Sequence, residues 1–148
     1  MSEITKRGLI LMAEDDSDDC LLAKDALAEC GLQAELRFVK DGAELMDYLH
    51  HRNGFSDDNS PRPSMILLDL NMPRKDGREA LREIKNDSEL KRIPVVVFTT
   101  SRADTDIATT YALGASSFIS KPVAFEALVN VMKSIRNYWF DIVLLPQK

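Results

Sequence analysis

Cysteine is scarce in this 148-residue chain: there are two, and tryptophan occurs once. Cys20 and Cys30 fall on one predicted helix, about 15 Å apart along its axis. A disulfide needs its Cα atoms within roughly 7 Å, so both are expected as free structural thiols in a reducing compartment, and neither has a partner at metal-ligand spacing. Long apolar runs are also missing. Gly8 to Ala13, Met65 to Leu70 and Val95 to Phe98 fall far short of the roughly 20 residues that span a bilayer. Met1 to Arg7 is polar, with no following segment of signal-peptide length. These features predict a cytoplasmic protein with no membrane partner. Excess positive charge is absent as well: 19 Lys and Arg against 24 Asp and Glu give a net charge of −5 and a pI near 5.0. That balance excludes sequence-independent binding to nucleic acid, which needs clustered cations.

What is present is the composition of a globular domain, 45% hydrophobic and 29% charged, long enough to bury a core. Short apolar runs alternate five times with longer helical patterns, the signature of an α/β parallel sheet. Leu9 to Ala13 reads as a buried strand. Asp16 or Ser17 caps a helix carrying Leu21, Ala23, Leu27 and Ala28, ended by Gly31. Leu36 to Val39 is the second strand, and Asp41-Gly42 opens a helix with Leu45, Met46 and Leu49 inward. Asn53 to Pro63 is a loop. Met65 to Leu68, wholly aliphatic, suits the centre of a sheet covered on both faces. A helix follows from Gly77 to about Lys85, then the strand Val95 to Phe98, a helix from Asp104 or Thr105 to near Gly114, and the strand Ser117 to Ser120. The last helix carries Phe125, Leu128, Met132, Ile135, Trp139 and Ile142 at alternating spacings of three and four.

Ligands of open parallel sheets bind at the carboxyl ends of the strands. Those ends carry Glu14-Asp15-Asp16, Asp69, Thr99-Thr100-Ser101 and Lys121-Pro122. Crowded carboxylates either raise a pKa or recruit a cation, and a hard dication, Mg²⁺ or Mn²⁺, suits all-oxygen donors. Asp15 and Asp69 would be direct ligands and Glu14 would act through water. Lys121 would pair with Asp69 at rest and with a phosphoryl oxygen afterwards. The Thr99 hydroxyl could donate to the same oxygen, and Pro122 invites a cis Lys121-Pro122 bond. Each residue also has a plainer role: a solvated helix N-terminus for Glu14 to Asp16, a β-branched strand residue for Thr99, a surface ammonium for Lys121. Asp69, at the end of an apolar strand, is expected exposed at the sheet edge with no structural partner.

Taken in order, Glu14-Asp15, the segment Leu67-Leu68-Asp69-Leu70-Asn71-Met72-Pro73 with Gly77, then Thr99 and Lys121-Pro122, resemble the receiver domains of response regulators in two-component signalling. The resemblance implies a flavodoxin-like (βα)5 fold of strand order 2-1-3-4-5, with one domain across residues 1–148, a core from about 8 to 138 and a hydrophobic extension from about 139 to 148. It implies Asp69 as phosphoacceptor, Asp15 and the Asn71 backbone carbonyl as metal ligands, Thr99 as switch hydroxyl and Lys121 as phosphate partner. Phe118 falls where the family places a mobile aromatic, although core packing explains it equally well. The expected protein is therefore no enzyme in the ordinary sense. It is a phosphoacceptor that assists its own phosphorylation and dephosphorylation.

The loop Arg52 to Pro63 and the closing segment Tyr138 to Pro146 resemble the small response regulators partnered with cyanobacterial and bacterial phytochrome histidine kinases. A phytochrome-type sensor kinase is thus the expected partner. With no output domain after the last helix, signalling is expected to pass through protein contacts. A homodimer would bury the fourth helix, fifth strand, fifth helix and tail, with Phe125, Trp139, Phe140, Ile142 and Val143 as candidate contacts, unless the tail folds back on its own domain. Two other classes compete: a hydrolase of the haloacid-dehalogenase type and an unphosphorylated docking module. The first needs a second aspartate where Asn71 stands, and the second leaves the acidic pocket without a purpose.

Overall fold

Fully apolar strands can pair in parallel only if helices cover both faces, and that is how this chain folds. The computed structural model describes residues 8–31 and 34–142. Its strands are β1 (Gly8–Ala13), β2 (Ala34–Val39), β3 (Met65–Leu68), β4 (Val95–Thr99) and β5 (Ser117–Ser120). Its helices are α1 (Ser17–Cys30), α2 (Gly42–His50), α3 (Gly77–Asn86), α4 (Asp104–Leu113) and α5 (Phe125–Ile135). All strand pairs are parallel, in the order β2-β1-β3-β4-β5, the flavodoxin-like order expected.

Alternation along the strands sorts side chains into two core layers. Ile10, Met12, Leu67 and Phe98 face α1 and α5, where Leu27, Leu128 and Met132 meet them. Leu11, Ile66, Leu68 and Val97 face α2 and α3, against Leu45, Leu81 and Ile84. β3 is fully buried at all four residues, each burial worth about 1.5–3 kcal/mol. Asp16, Asp41 and Asp76 cap α1, α2 and α3 by accepting backbone N–H groups, and Gly31 ends α1 at φ 77°.

Several boundaries differ from expectation. β2 begins at Ala34 rather than Leu36, because pairing with β1 extends to Gly8. α1 buries Ala23, Ala26, Leu27 and Cys30, while Leu21 and Ala28 lie exposed. A short 3-10 turn, Leu90–Arg92, precedes β4 and buries Leu90. The three-and-four stripe of the last helix breaks after Ile135, where the backbone widens into a π-helical stretch, Arg136–Ile142. The wider turn puts Trp139 and Phe140 against the α1 and α5 core layer. Phe125 is exposed, and Val143 lies outside the described residues.

The Asn53 to Pro63 loop is tied down by polar contacts. The Tyr48 hydroxyl donates to the Pro61 carbonyl at 2.7 Å and Arg37 Nη1 to that of Asn59 at 2.6 Å.

Candidate functional site

Strand register sets the site. Ala13 pairs with Leu68 and Leu68 with Val97, so Glu14, Asp69 and Phe98 sit at one level on three adjacent strands, where the chain leaves the sheet. The Asp69 N–H donates to the Ala13 carbonyl at 3.2 Å and the Lys121 N–H to the Thr99 carbonyl at 2.7 Å, extending the sheet to these two residues. Gly77 closes the rim: a Cβ there would lie 2.2 Å from the Asp69 carbonyl oxygen, so no larger residue lets α3 start this close to β3.

Carboxylate oxygens of Glu14, Asp15 and Asp69 lie within 4.8 Å of one another. Asp15 is exposed, whereas Glu14 and Asp69 are buried, at 3% and 7% exposure. The expected exposure of Asp69 is therefore wrong. The β1 and β4 ends flank it and Gly77 packs on its backbone, so the carboxylate is drawn into the rim. Its Oδ1 accepts the Asn71 N–H at 3.3 Å.

Lys121 reaches into this cluster from β5. Its ammonium forms its shortest contact with Glu14, and lies 3.3 Å from Asp19 Oδ2 and 3.5 Å from Asp69 Oδ2. Glu14, more than Asp69, is thus its partner in this state. Burial pushes the Glu14 carboxyl up to about 7, against the lowering effect of the hydrogen bond and charge of Lys121. Burial works against the charge on Lys121 too, but the hydrogen bond it donates to Glu14 and the charges of Asp69, Glu14 and Asp19 outweigh it and raise its pKa.

Asp19 is a member that the strand-end survey passes over. Its place in the first turn of a helix starting at this rim is the sequence signal that marks it. Thr99 is fully buried at the end of β4, and its hydroxyl has no hydrogen-bond partner among the described residues. An unpartnered buried hydroxyl is costly and marks a donor waiting for an acceptor. Phe118 is half-buried against the α2 and α3 core layer, and its N–H donates to the Tyr111 hydroxyl oxygen. Asn71 is exposed on the β3–α3 turn. The bond before Pro122 is trans, as no peptide bond among the described residues is cis.

An all-oxygen carboxylate cluster of this size is the donor set that a hard divalent cation takes, with a cation-bearing side chain beside it to meet a second, anionic ligand. Beside it opens an apolar pocket walled by Leu22 on α1, Val123 and Phe125.

Comparison with known proteins agrees with this geometry. Residues 10–133 match the family model described as the response regulator receiver domain. The chain is 40% identical over 138 residues to response regulator Rcp1 of Synechocystis sp., covering 93% of this chain and 92% of that one. The crystal structure of the phosphorylated cyanobacterial phytochrome response regulator RcpA superposes with a TM-score of 0.88 at 41% identity, covering 96% of this chain and 100% of that one. The Mn²⁺-bound form of Rcp1 gives a TM-score of 0.85 at 39% identity, with 95% and 99% covered.

Proposed function

This chain belongs to the response regulator receiver family, and we propose that it accepts a phosphoryl group on Asp69 from the phosphohistidine of a phytochrome-type sensor kinase. Family membership makes it a component of phosphorylation-dependent signalling. The observation that carries the site assignment is the convergence of Glu14, Asp15 and Asp69 within 4.8 Å, with the Lys121 ammonium 3.5 Å from Asp69.

Asp15, Asp69 and the Asn71 backbone carbonyl would hold Mg²⁺ or Mn²⁺, with Glu14 acting through water; when bound, the cation supplies charge neutralisation at the transferring phosphoryl group. An Asp69 carboxylate oxygen attacks phosphorus in line, forming the acyl phosphate bond as the bond to the donor imidazole nitrogen breaks. Lys121 then exchanges part of its contact with Glu14 for a phosphoryl oxygen. The Thr99 hydroxyl, without a partner at rest, donates to another. That movement frees space for Phe118 and biases a surface formed by α4, β5 and α5. Attack of water on the acyl phosphate, past Asn71, Thr100 and Ser101, resets the protein.

The same reading takes residues 1–148 as one receiver domain, working in the cytoplasm and signalling through protein contacts. Among the described residues no helix is long and apolar enough to cross a membrane. A homodimer would use the α4, β5 and α5 face with Phe125, Trp139, Phe140, Ile142 and Val143. The likeness to cyanobacterial phytochrome response regulators supports the kinase assignment. Incubation with acetyl phosphate and Mg²⁺ followed by intact mass measurement tests Asp69 as the acceptor. One phosphoryl adduct is expected, absent in Asp69→Ala. An adduct that survives that substitution overturns the assignment.

A further inference from the structure

The turn between β3 and α3 contains a residue in an unfavourable conformation. Arg74 has φ 64°, and it is one of three non-glycine residues with positive φ among those described. A side chain in the left-handed region is strained, and such strain persists only where the surroundings hold it. Here the hold is visible. The Arg74 guanidinium docks on Asp41, with Nε 2.8 Å from Oδ2. Asp41 is 1% exposed and also caps α2 by accepting the Glu44 N–H at 2.8 Å. Beside this pair the Gly42 N–H donates to the Lys75 carbonyl at 2.9 Å, and a Cβ on Gly42 would come within 2.4 Å of that oxygen.

The turn is thus pinned at both ends and in the middle. Its first residue, Asn71, sends its N–H to Asp69 Oδ1, and at its far end the Gly77 N–H donates to the Leu70 carbonyl at 3.0 Å. Between these points Met72 packs into the core layer shared with α2, and Arg74 supplies the polar side-chain anchor, on the Asp41 cap of that helix. We propose that Arg74 is a positioning residue for phosphorylation: docked on buried Asp41, it holds the 71–76 turn so that the Asn71 backbone carbonyl faces the divalent cation. This rests on the metal site proposed above. Arg74 itself touches neither cation nor phosphoryl group. Its effect passes through three residues of backbone to Asn71.

The test is Mn²⁺ binding, followed by the electron paramagnetic resonance signal of free Mn²⁺, on the whole protein and on Arg74→Ala, Arg74→Gly and Arg74→Lys. Outer residues that orient metal ligands commonly change affinity about 10–100-fold. Arg74→Ala is expected to weaken Mn²⁺ binding about tenfold, with an acetyl phosphate rate at saturating metal close to that of the wild type. Glycine relieves the positive φ and keeps the fold, yet lacks the guanidinium, so Arg74→Gly is expected to bind as weakly as Arg74→Ala. Arg74→Lys should recover part of the loss by restoring charge on Asp41. Wild-type affinity in the folded Arg74→Gly variant overturns the positioning role while leaving the site assignment standing. A wild-type protein that binds no Mn²⁺ overturns the site assignment and this inference together.

Discussion

The β3–α3 unit and the α4–β5–α5 unit are built to different standards of order. β3 is buried at every residue and α3 begins on an Asp76 cap, with Gly77 wedged on the Asp69 backbone. In contrast all four residues of the edge strand β5 are half-buried, and α4 and α5 start at Ala103 and Ala124 with no side-chain cap. α4 fully buries only Thr110. Asp69, the proposed phosphoacceptor, thus sits on the stiff side of the sheet, and Lys121 and Phe118 sit on the side that opens at lower cost. Elements that move in switching come from the low-stability end of a structure. A rigid acceptor with a looser responder is the arrangement that lets a local charge change alter a distant surface.

That contrast can be broken first by stability. Leu67→Ala in β3 removes a fully buried side chain from the sheet centre and is expected to cost about 2–5 kcal/mol. Ile119→Ala in β5 should cost ~1 kcal/mol. Chemical denaturation of both variants measures the gap, and equal losses would remove the distinction between the two units. Next comes function. Lys121→Ala keeps the acceptor but removes the cation beside it, and the rate of phosphorylation by acetyl phosphate should fall on the order of 10²-fold, as when one preorganised donor is lost. A rate within twofold of wild type would detach β5 from the chemistry.

The smallest effect concerns Glu14, which joins the two units through Lys121. Its folded pKa, about 7, lies above the ordinary carboxylate value of 4.5, so the folded protein holds this proton more tightly than the unfolded chain. Its contribution to stability is therefore largest below pH 4.5, falls as pH rises from there to about 7, and is level above that. Thermal unfolding of the metal-free protein across this range should show a shallower pH slope in Glu14→Gln than in wild type. Because a cation needs Glu14 ionised, Mg²⁺ affinity should rise as pH increases through about 7 and then level off.

How much of this was legible beforehand follows from the same contrast. β3 and β4 are continuous aliphatic runs, so both their place in the sheet and the carboxylate or hydroxyl at each end could be read directly. Periodicity puts Trp139 on the inner stripe of α5, and the residue does pack on the α1 and α5 core layer, but no spacing rule signals that the backbone widens after Ile135 to bring it there. The burial of Asp69 was also hidden, since it depends on neighbouring strand ends and on Gly77, all remote in sequence. The pairing of Lys121 with Glu14, 107 positions apart, has the same cause. Strand ends tell which residues meet, but not which pairs form within the meeting. Asp41 and Arg74 carry no motif of their own, and only the buried carboxylate and the positive φ single them out.

The most direct test of the central claim is diffraction from crystals of this protein soaked in Mn²⁺, recorded at a wavelength where the ion scatters anomalously. One strong anomalous peak between the carboxylates of Asp15 and Asp69, next to the Asn71 carbonyl, is the predicted result. No peak at that rim in a crystal that has taken up Mn²⁺ elsewhere would contradict it.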